Sequence, residues 1–314
     1  MKYNLVKNTG HNPYHNIALE KYLFDICAGD EIILYLWVNQ PCVIAGCNQN
    51  VLLEWDNTFL KENEIYPVRR LTGGGCVYHD LGNLNYSFIS GLEHKDIEKW
   101  LKIILDAVSS FGLSVGFSGR NDLVMDDRKF GGTAWLEEDN KILFHGTLML
   151  NVDLEQMVKC LTPDLLKFEG KAIASVRSRV VNLSDKADEL NTDRLIQAIE
   201  RSFSQVYGEL TDKSVQDNSD IEQMVRKLSS PEWIYQKNSD CDISVSYKVK
   251  NQLVQLDLKI ENNRITDLNV FTDSLEVMVA DKIKQHLCGL VYSETDIPTK
   301  LSELLEERVG ISEI

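Results

Sequence analysis

Two arginines stand two residues ahead of three consecutive glycines in Arg69-Arg70-Leu71-Thr72-Gly73-Gly74-Gly75-Cys76-Val77-Tyr78-His79-Asp80, and this is where the chain is best equipped for chemistry. Glycine lets a backbone approach a ligand closely and reach positive φ without strain. Successive free N–H groups in such a turn form an anion-sized concavity, and an arginine fork adds charge matched to phosphate or carboxylate. The residues alone leave two readings open: a nucleotide or acyl-phosphate loop, or a tight hairpin corner carrying two surface arginines. The order is neither that of a P-loop nor that of a Gly-x-Gly-x-x-Gly fingerprint opening a helix. Cys76-Val77-Tyr78 reads as a strand, Asp80-Leu81-Gly82-Asn83 as a turn, and Leu84–Ile89 as a returning strand. The glycines are therefore expected at the edge of an antiparallel hairpin.

Further along, Gly119-Arg120-Asn121-Asp122-Leu123-Val124-Met125 leads through the turn chemistry of Asp126-Asp127 into Arg128-Lys129-Phe130-Gly131-Gly132-Thr133-Ala134. Lys129 opens that strand, either as a solvated surface lysine or as a functional cation, and the diglycine permits close backbone contact. Phe144-His145-Gly146-Thr147-Leu148 is another strand with an internal glycine. Arg177 and Arg179, two residues apart, fall on one face if extended.

These pieces, in this order, resemble the lipoate–protein ligases, within the wider group of lipoate and biotin protein ligases. The resemblance rests on Arg69–Gly75 through His79-Asp80-Leu81-Gly82-Asn83, then Gly119–Asp122, Lys129–Ala134, His145–Leu148 and Ser175–Val180. Val270-Phe271-Thr272-Asp273-Ser274-Leu275 extends it to the small C-terminal domain of two-domain bacterial ligases of the A type. The resemblance implies an α+β (mixed α/β) fold, biotin/lipoate ligase-like, with a catalytic domain similar to class II aminoacyl-tRNA synthetase cores. It implies ATP-driven conversion of lipoate to lipoyl-AMP, then transfer to one lysine of a carrier: lipoyl domains of 2-oxoacid dehydrogenase E2 subunits, or the glycine-cleavage H protein. By resemblance Lys129 is the catalytic residue, contacting the acyl carbonyl and the α-phosphate. Arg70, Gly73, Gly74, Gly75, Cys76, Val77, Tyr78, His79, Asn83, Asn121, Asp122 and Thr147 are the expected nucleotide and lipoate contacts, with Asp122 a candidate for Mg²⁺. The small domain is expected to swing relative to the large one after adenylation.

The chain departs from the family pattern at Cys76, where alanine is frequent, at Gly131, where serine or alanine is common, and at Gln236–Asp240, which lacks the usual Gly-x-x-Pro ending. Cys76 invites a nucleophile reading. The alternative activity is accordingly an ATP-independent lipoyl or octanoyl transferase working from an acylated carrier, and a non-catalytic lipoate binder is a third reading.

Composition sets the limits. The chain has 314 residues, a formal net charge of −15, 43% hydrophobic and 26% charged residues, enough for two domains and unsuited to general nucleic-acid binding. The expected division is a catalytic domain over 1–238 and an accessory domain over 242–314. No apolar run is long enough for a membrane span. Seven cysteines without a C-x-x-C pair point to reduced thiols and a cytoplasmic setting, and a monomer is expected. Because carriers are commonly acidic too, Arg69, Arg120, Lys171, Arg177 and Arg179 are the candidates for local attraction.

The positioning elements follow from pattern. Helices are expected from Pro13, from Asp96 to Gly112 and from Asp193, with strands at Ile32–Val38 and Cys42–Gly46 and a polar loop at Asp212–Asp220. Alternation over Ile243–Val249, Val254–Ile260 and Ile265–Val270, with Asn262-Asn263 at a turn, then helical patterns at Leu275–Leu287 and Asp296–Leu305, describe a separate α+β module.

Overall fold

The computed structural model describes residues 1–118, 121–161, 179–235, 241–250 and 252–305. Its strands are β1 (Lys2–Lys7), β2 (Glu31–Val38), β3 (Cys42–Ala45), β4 (Tyr66–Arg69), β5 (Val77–His79), β6 (Asn83–Gly91) and β7 (Val115–Ser118). They continue with β8 (Asp122–Met125), β9 (Arg128–Glu138), β10 (Lys141–Met149), β11 (Thr211–Asp212), β12 (Ile243–Val249), β13 (Gln252–Glu261) and β14 (Arg264–Thr272). Eight of them form one sheet in the order β11-β1-β2-β6-β10-β9-β8-β7, and β4-β3-β5 form a second, three-stranded sheet. The fold is mixed α+β.

Both faces of the large sheet are covered. On one lie the helices Ile97–Ser109 and Thr192–Tyr207, whose Trp100, Ile104, Leu195 and Phe203 pack on Leu34, Tyr86, Phe88 and Phe144. On the other lie the helix Pro13–Ile26 and the small sheet, through Leu19, Leu23, Phe24 and Ile44 against Ile33, Tyr35 and Leu143. The helix starts are set locally. Asn12 Oδ1 accepts from the N–H groups of Tyr14 and His15, and Asp96 Oδ1 accepts from that of Lys99, each satisfying donors that a first turn leaves open. The third helix begins at Thr192 behind the cap Asn191, and the polar stretch ends in a helix, Ser219–Leu228, capped by Asn218.

The expected hairpin does not form. β5 pairs antiparallel with β3 in the small sheet, whereas β6 pairs with β2 and β10 in the large one. All nine residues of β6 are buried, which demands a central place between two neighbours and two covered faces. The short turn at Asp80–Gly82 therefore carries the chain from one sheet to the other.

Tight reversals elsewhere follow their turn residues. Asp126-Asp127 between β8 and β9, and Asn262-Asn263 between β13 and β14, all have φ between 50° and 61°, the left-handed pairs that two-residue hairpins favour. Strands β12-β13-β14 form a separate sheet, with the helices Val279–Leu287 and Ile297–Leu304 packed on a core of Val254, Leu256, Leu258, Leu268, Ile283 and Leu301.

Candidate active site

Strand pairing assembles a cavity from residues far apart in sequence. Across the face of the large sheet that meets the small one, Trp37 is opposite Asn85 and Asn85 opposite Thr147. The next rung is Tyr35, Ser87, His145 and Ala134. Ile44, Val77 and His79 of the small sheet cover these rungs, and the space between is a cavity of about 120 Å³ that Arg70, Gly75, Cys76, Asn121, Lys129 and Gly132 also line. One part of the lining is apolar, from Ile17, Trp37, Ile44, Val77 and Ala134; another presents a cation and backbone.

Behind the wall runs a chain of polar contacts. Arg70 Nε donates to Thr72 Oγ1 at 2.9 Å, and Thr72 Oγ1 lies 2.9 Å from His145 Nε2. His145 Nδ1 lies 2.9 Å from Glu20 Oε1, which also accepts from Ser87 Oγ, and Ser87 accepts in turn from Trp37 Nε1 at 3.3 Å. Every member of this chain from Arg70 to Trp37 has a partner, which holds that part of the wall in one arrangement.

Arg70 spends its fork on the glycine loop. Its guanidinium donates to the carbonyls of Ile44, Gly73 and Gly75, and burial pushes its pKa below the usual range. Gly74 adopts φ +91°, a conformation that favours glycine. Gly73 and Gly74 do not line the cavity; they meet the C-terminal module instead. The Gly74 N–H donates to Ser274 O at 2.7 Å, that of Thr272 to Asn48 O at 2.8 Å, and Asn48 Nδ2 to Val277 O at 2.8 Å. Tyr78 turns its ring away into the core around Val43 and Trp55, with its hydroxyl on Gln156. Asn83 is buried, its Nδ2 donating to Asn85 Oδ1. Thr147 Oγ1 accepts from the Gly132 N–H at 3.3 Å, and Asn121 Nδ2 donates to Thr133 O at 3.1 Å.

Arg69 belongs to the scaffold rather than to any charged surface. It is 0% exposed. Its Nε donates to Trp233 O and Ile234 O, and its Nη1 to the carbonyls of Gly46, Cys47 and Gln49. It thus cannot attract a carrier as the sequence suggested. Its side chain alternates with that of Arg70 along the chain, and the helix Pro231–Tyr235 seals it. Arg120, Lys171, Arg177 and Gln236–Asp240 lie outside the described residues; Arg179 is described and exposed.

Lys129 lines the cavity and is partly exposed, its Nζ 2.7 Å from Asp122 Oδ1. Among the described residues no three His, Cys, Asp or Glu side chains converge as a metal cage. Asp122, the candidate for Mg²⁺, is engaged by the Lys129 ammonium. None of the seven cysteines is in a disulfide. Cys76 lines the cavity, and burial pushes its thiol well up, away from the thiolate a nucleophile needs. Among the described residues no helix is long and apolar enough to cross a membrane.

His79 is buried, its Nδ1 3.3 Å from Asn39 Nδ2, and Nε2 has no partner among the described residues. Burial, then the charges of Arg70 and His145, lower its pKa from 6.5 to about 3. The unfolded chain takes up this proton below about pH 6.5 and the folded one does not. Stability is therefore expected to fall between about pH 6.5 and pH 3, by up to about 1.4 kcal/mol per unit from this group. Denaturant titrations at pH 7 and pH 5 check this, and His79→Asn should flatten the difference by about 2 kcal/mol; an unchanged slope rejects the assignment.

Comparison with known proteins converges on one family. Residues 12–204 match the model of the lipoyl protein ligase A/B catalytic domain, and residues 238–311 that of the bacterial lipoate protein ligase C-terminus. A lipoate-protein ligase A of Bdellovibrio bacteriovorus is 32% identical, over 96% of this chain and 94% of its own. Among solved structures, P. falciparum LipL1 in complex with lipoate aligns at a TM-score of 0.83 and 26% identity, over 96% of this chain and 94% of that one. A bi-partite lipoate protein ligase of Thermoplasma acidophilum, described with its E2 lipoyl domain, aligns at 0.68 and 26% identity over 76% and 99%. A lipoate-protein ligase A bound with ATP aligns at 0.62 and 26% identity, over 75% and 99%. With the catalytic-domain model covering more than half of it and a curated relative sharing nearly its whole length, the chain belongs to the lipoate–protein ligase family and is an enzyme of that family.

Proposed function

We propose that the protein activates lipoate with ATP to lipoyl-AMP and transfers the lipoyl group to a lysine of a lipoyl carrier domain. The observation that carries this reading is one cavity lined together by apolar side chains, by Lys129 and by Gly75 and Cys76 of the glycine loop. The apolar lining from Ile17, Trp37, Ile44 and Val77 suits an acyl chain. Gly75, Cys76 and Val77 offer backbone to the adenylate, and Lys129 faces the place where carboxylate and α-phosphate would meet.

In the first step a carboxylate oxygen of lipoate bonds to the α-phosphorus as the bond to the β-phosphate oxygen breaks, and pyrophosphate leaves. In the second, the ε-amine of a carrier lysine attacks the acyl carbon. The bond to the AMP oxygen breaks, AMP leaves and the amine proton passes to solvent. Both steps build negative charge on acyl or phosphoryl oxygens, and an ammonium positioned beside them stabilises that charge. The division into a catalytic domain over 1–238 and an accessory domain over 242–314 is part of this reading, as are Mg²⁺, E2 lipoyl domains or H protein as carriers, and a monomeric, cytoplasmic enzyme. The elevated Cys76 thiol favours the ATP-dependent route over transfer through a thioester.

Intact-mass measurement of a lipoyl domain, incubated with the protein, lipoate and Mg-ATP, is expected to show the gain of one lipoyl group only with ATP. A gain from an acylated donor without ATP would instead make the protein a transferase.

A further inference from the structure

Resting on the ligase reading above, we infer that Asp122 is a positioning residue for Lys129. It holds the ammonium at the cavity until acyl and phosphoryl oxygens take it over. The arrangement is built into strand β9. Its pairing with β8 shifts register between Leu123 and Val124: Leu123 is opposite Gly131 while Val124 is opposite Lys129, leaving Phe130 extra. Such a bulge resets the alternation of side chains. Without it Phe130 would share the face of Gly132 and Ala134. With it Phe130 is buried in the core on the opposite face, and Lys129 lines the cavity beside Gly132 and Ala134.

The rest is reach. Asp122 pairs directly with Gly132, the residue between it and Lys129 along the sheet face. A Cβ on Gly132 would lie 3.2 Å from both Cε and Nζ of Lys129, so the end of the lysine side chain lies across the glycine in close contact with it. There the ammonium meets Asp122 Oδ1 at 2.7 Å. The two side chains are 37% and 41% exposed. Ion pairs at that exposure contribute roughly 0–1 kcal/mol. The pair is strong enough to bias where a flexible lysine rests and weak enough for incoming phosphate oxygens to replace it. Asp122 so reduces the reorganisation needed when the ligands arrive.

Asp122→Asn tests this. Initial rates of lipoate-dependent pyrophosphate release are expected to show kcat lowered about 2–5-fold, the range that an ion pair of this exposure can bias, with KM for ATP and lipoate unchanged. The Mg²⁺ concentration for half-maximal rate should stay within about twofold. A second readout needs no turnover. Reductive methylation of the folded protein, quantified at Lys129 by peptide mass spectrometry, should be faster in Asp122→Asn, because the carboxylate no longer holds the lysine head against the sheet and away from the reagent. Wild-type kcat in Asp122→Asn, or equal labelling of Lys129, overturns the inference. A tenfold rise in the Mg²⁺ requirement also overturns it, by making Asp122 a metal contact. Wild-type protein that releases no pyrophosphate with lipoate and Mg-ATP defeats the ligase reading instead, and the labelling result still decides the ion pair.

Discussion

Lys129→Ala is expected to lower lipoate-dependent pyrophosphate release by about 10²–10³-fold, the usual cost of removing one preorganised charge from a developing oxyanion. Both half-reactions should suffer, because the acyl oxygen becomes electron-rich in each. Supplying chemically made lipoyl-AMP should therefore not restore transfer to the carrier. Stability should hardly change, since the side chain is over a third exposed and its ion-pair partner, Asp122, is equally open to water. Lys129→Arg should not restore the rate, because a planar fork on a longer stem cannot reproduce a point charge lying across Gly132. Normal pyrophosphate release by the alanine variant would remove Lys129 from the chemistry.

Arg69→Ala is expected to act oppositely, on folding before catalysis. Five carbonyls, from Gly46, Cys47, Gln49, Trp233 and Ile234, converge on this guanidinium in the absence of any exposed surface. Burial lowers its pKa to about 10, so it stays charged at neutral pH. Truncation leaves those acceptors unpaired inside the protein and should lower unfolding free energy by about 3–5 kcal/mol. The denaturant midpoint measures it. Arg69→Lys should recover little, because one ammonium cannot reach two separate sets of carbonyls. A loss below about 1 kcal/mol would mean that water replaces the guanidinium at little cost.

The two arginines mark the limit of what the sequence made legible. Adjacent, identical in chemistry and preceding the same glycines, they read alike. Arg70 faces the cavity and shapes the glycine loop, while Arg69 ties β4 to the loop at Gly46–Gln49 and to the helix at Pro231. Charge is visible in a sequence; burial is set by which elements later cover the strand. Local patterns carried the strands of the C-terminal module and the cap at Asp96, since alternation and capping act within a few residues. Trp37, Asn85 and His145 escaped assignment to the site because they become neighbours only through the β2-β6-β10 pairing. The bulge at Phe130 left no mark of its own: Lys129 was picked out by its motif, and its direction came from a register shift that no periodicity announces. The supposed hairpin after the glycines failed for a related reason. Two strands joined by a short turn pair with each other by default, unless one is buried on both faces and is claimed by the middle of another sheet.

The raised thiols have a bearing on chemical self-compatibility. Lipoate carries a strained cyclic disulfide, and any thiolate beside it invites exchange into a mixed disulfide that would trap the enzyme on its own substrate. Attack requires the thiolate. Cys76 in the cavity lining, with Cys42 and Cys47 in the strand and loop beside it, are all pushed up by burial. At neutral pH they remain protonated and inert. The same dry packing that shapes the acyl channel thus lets a cysteine-bearing wall handle an oxidant without being consumed by it.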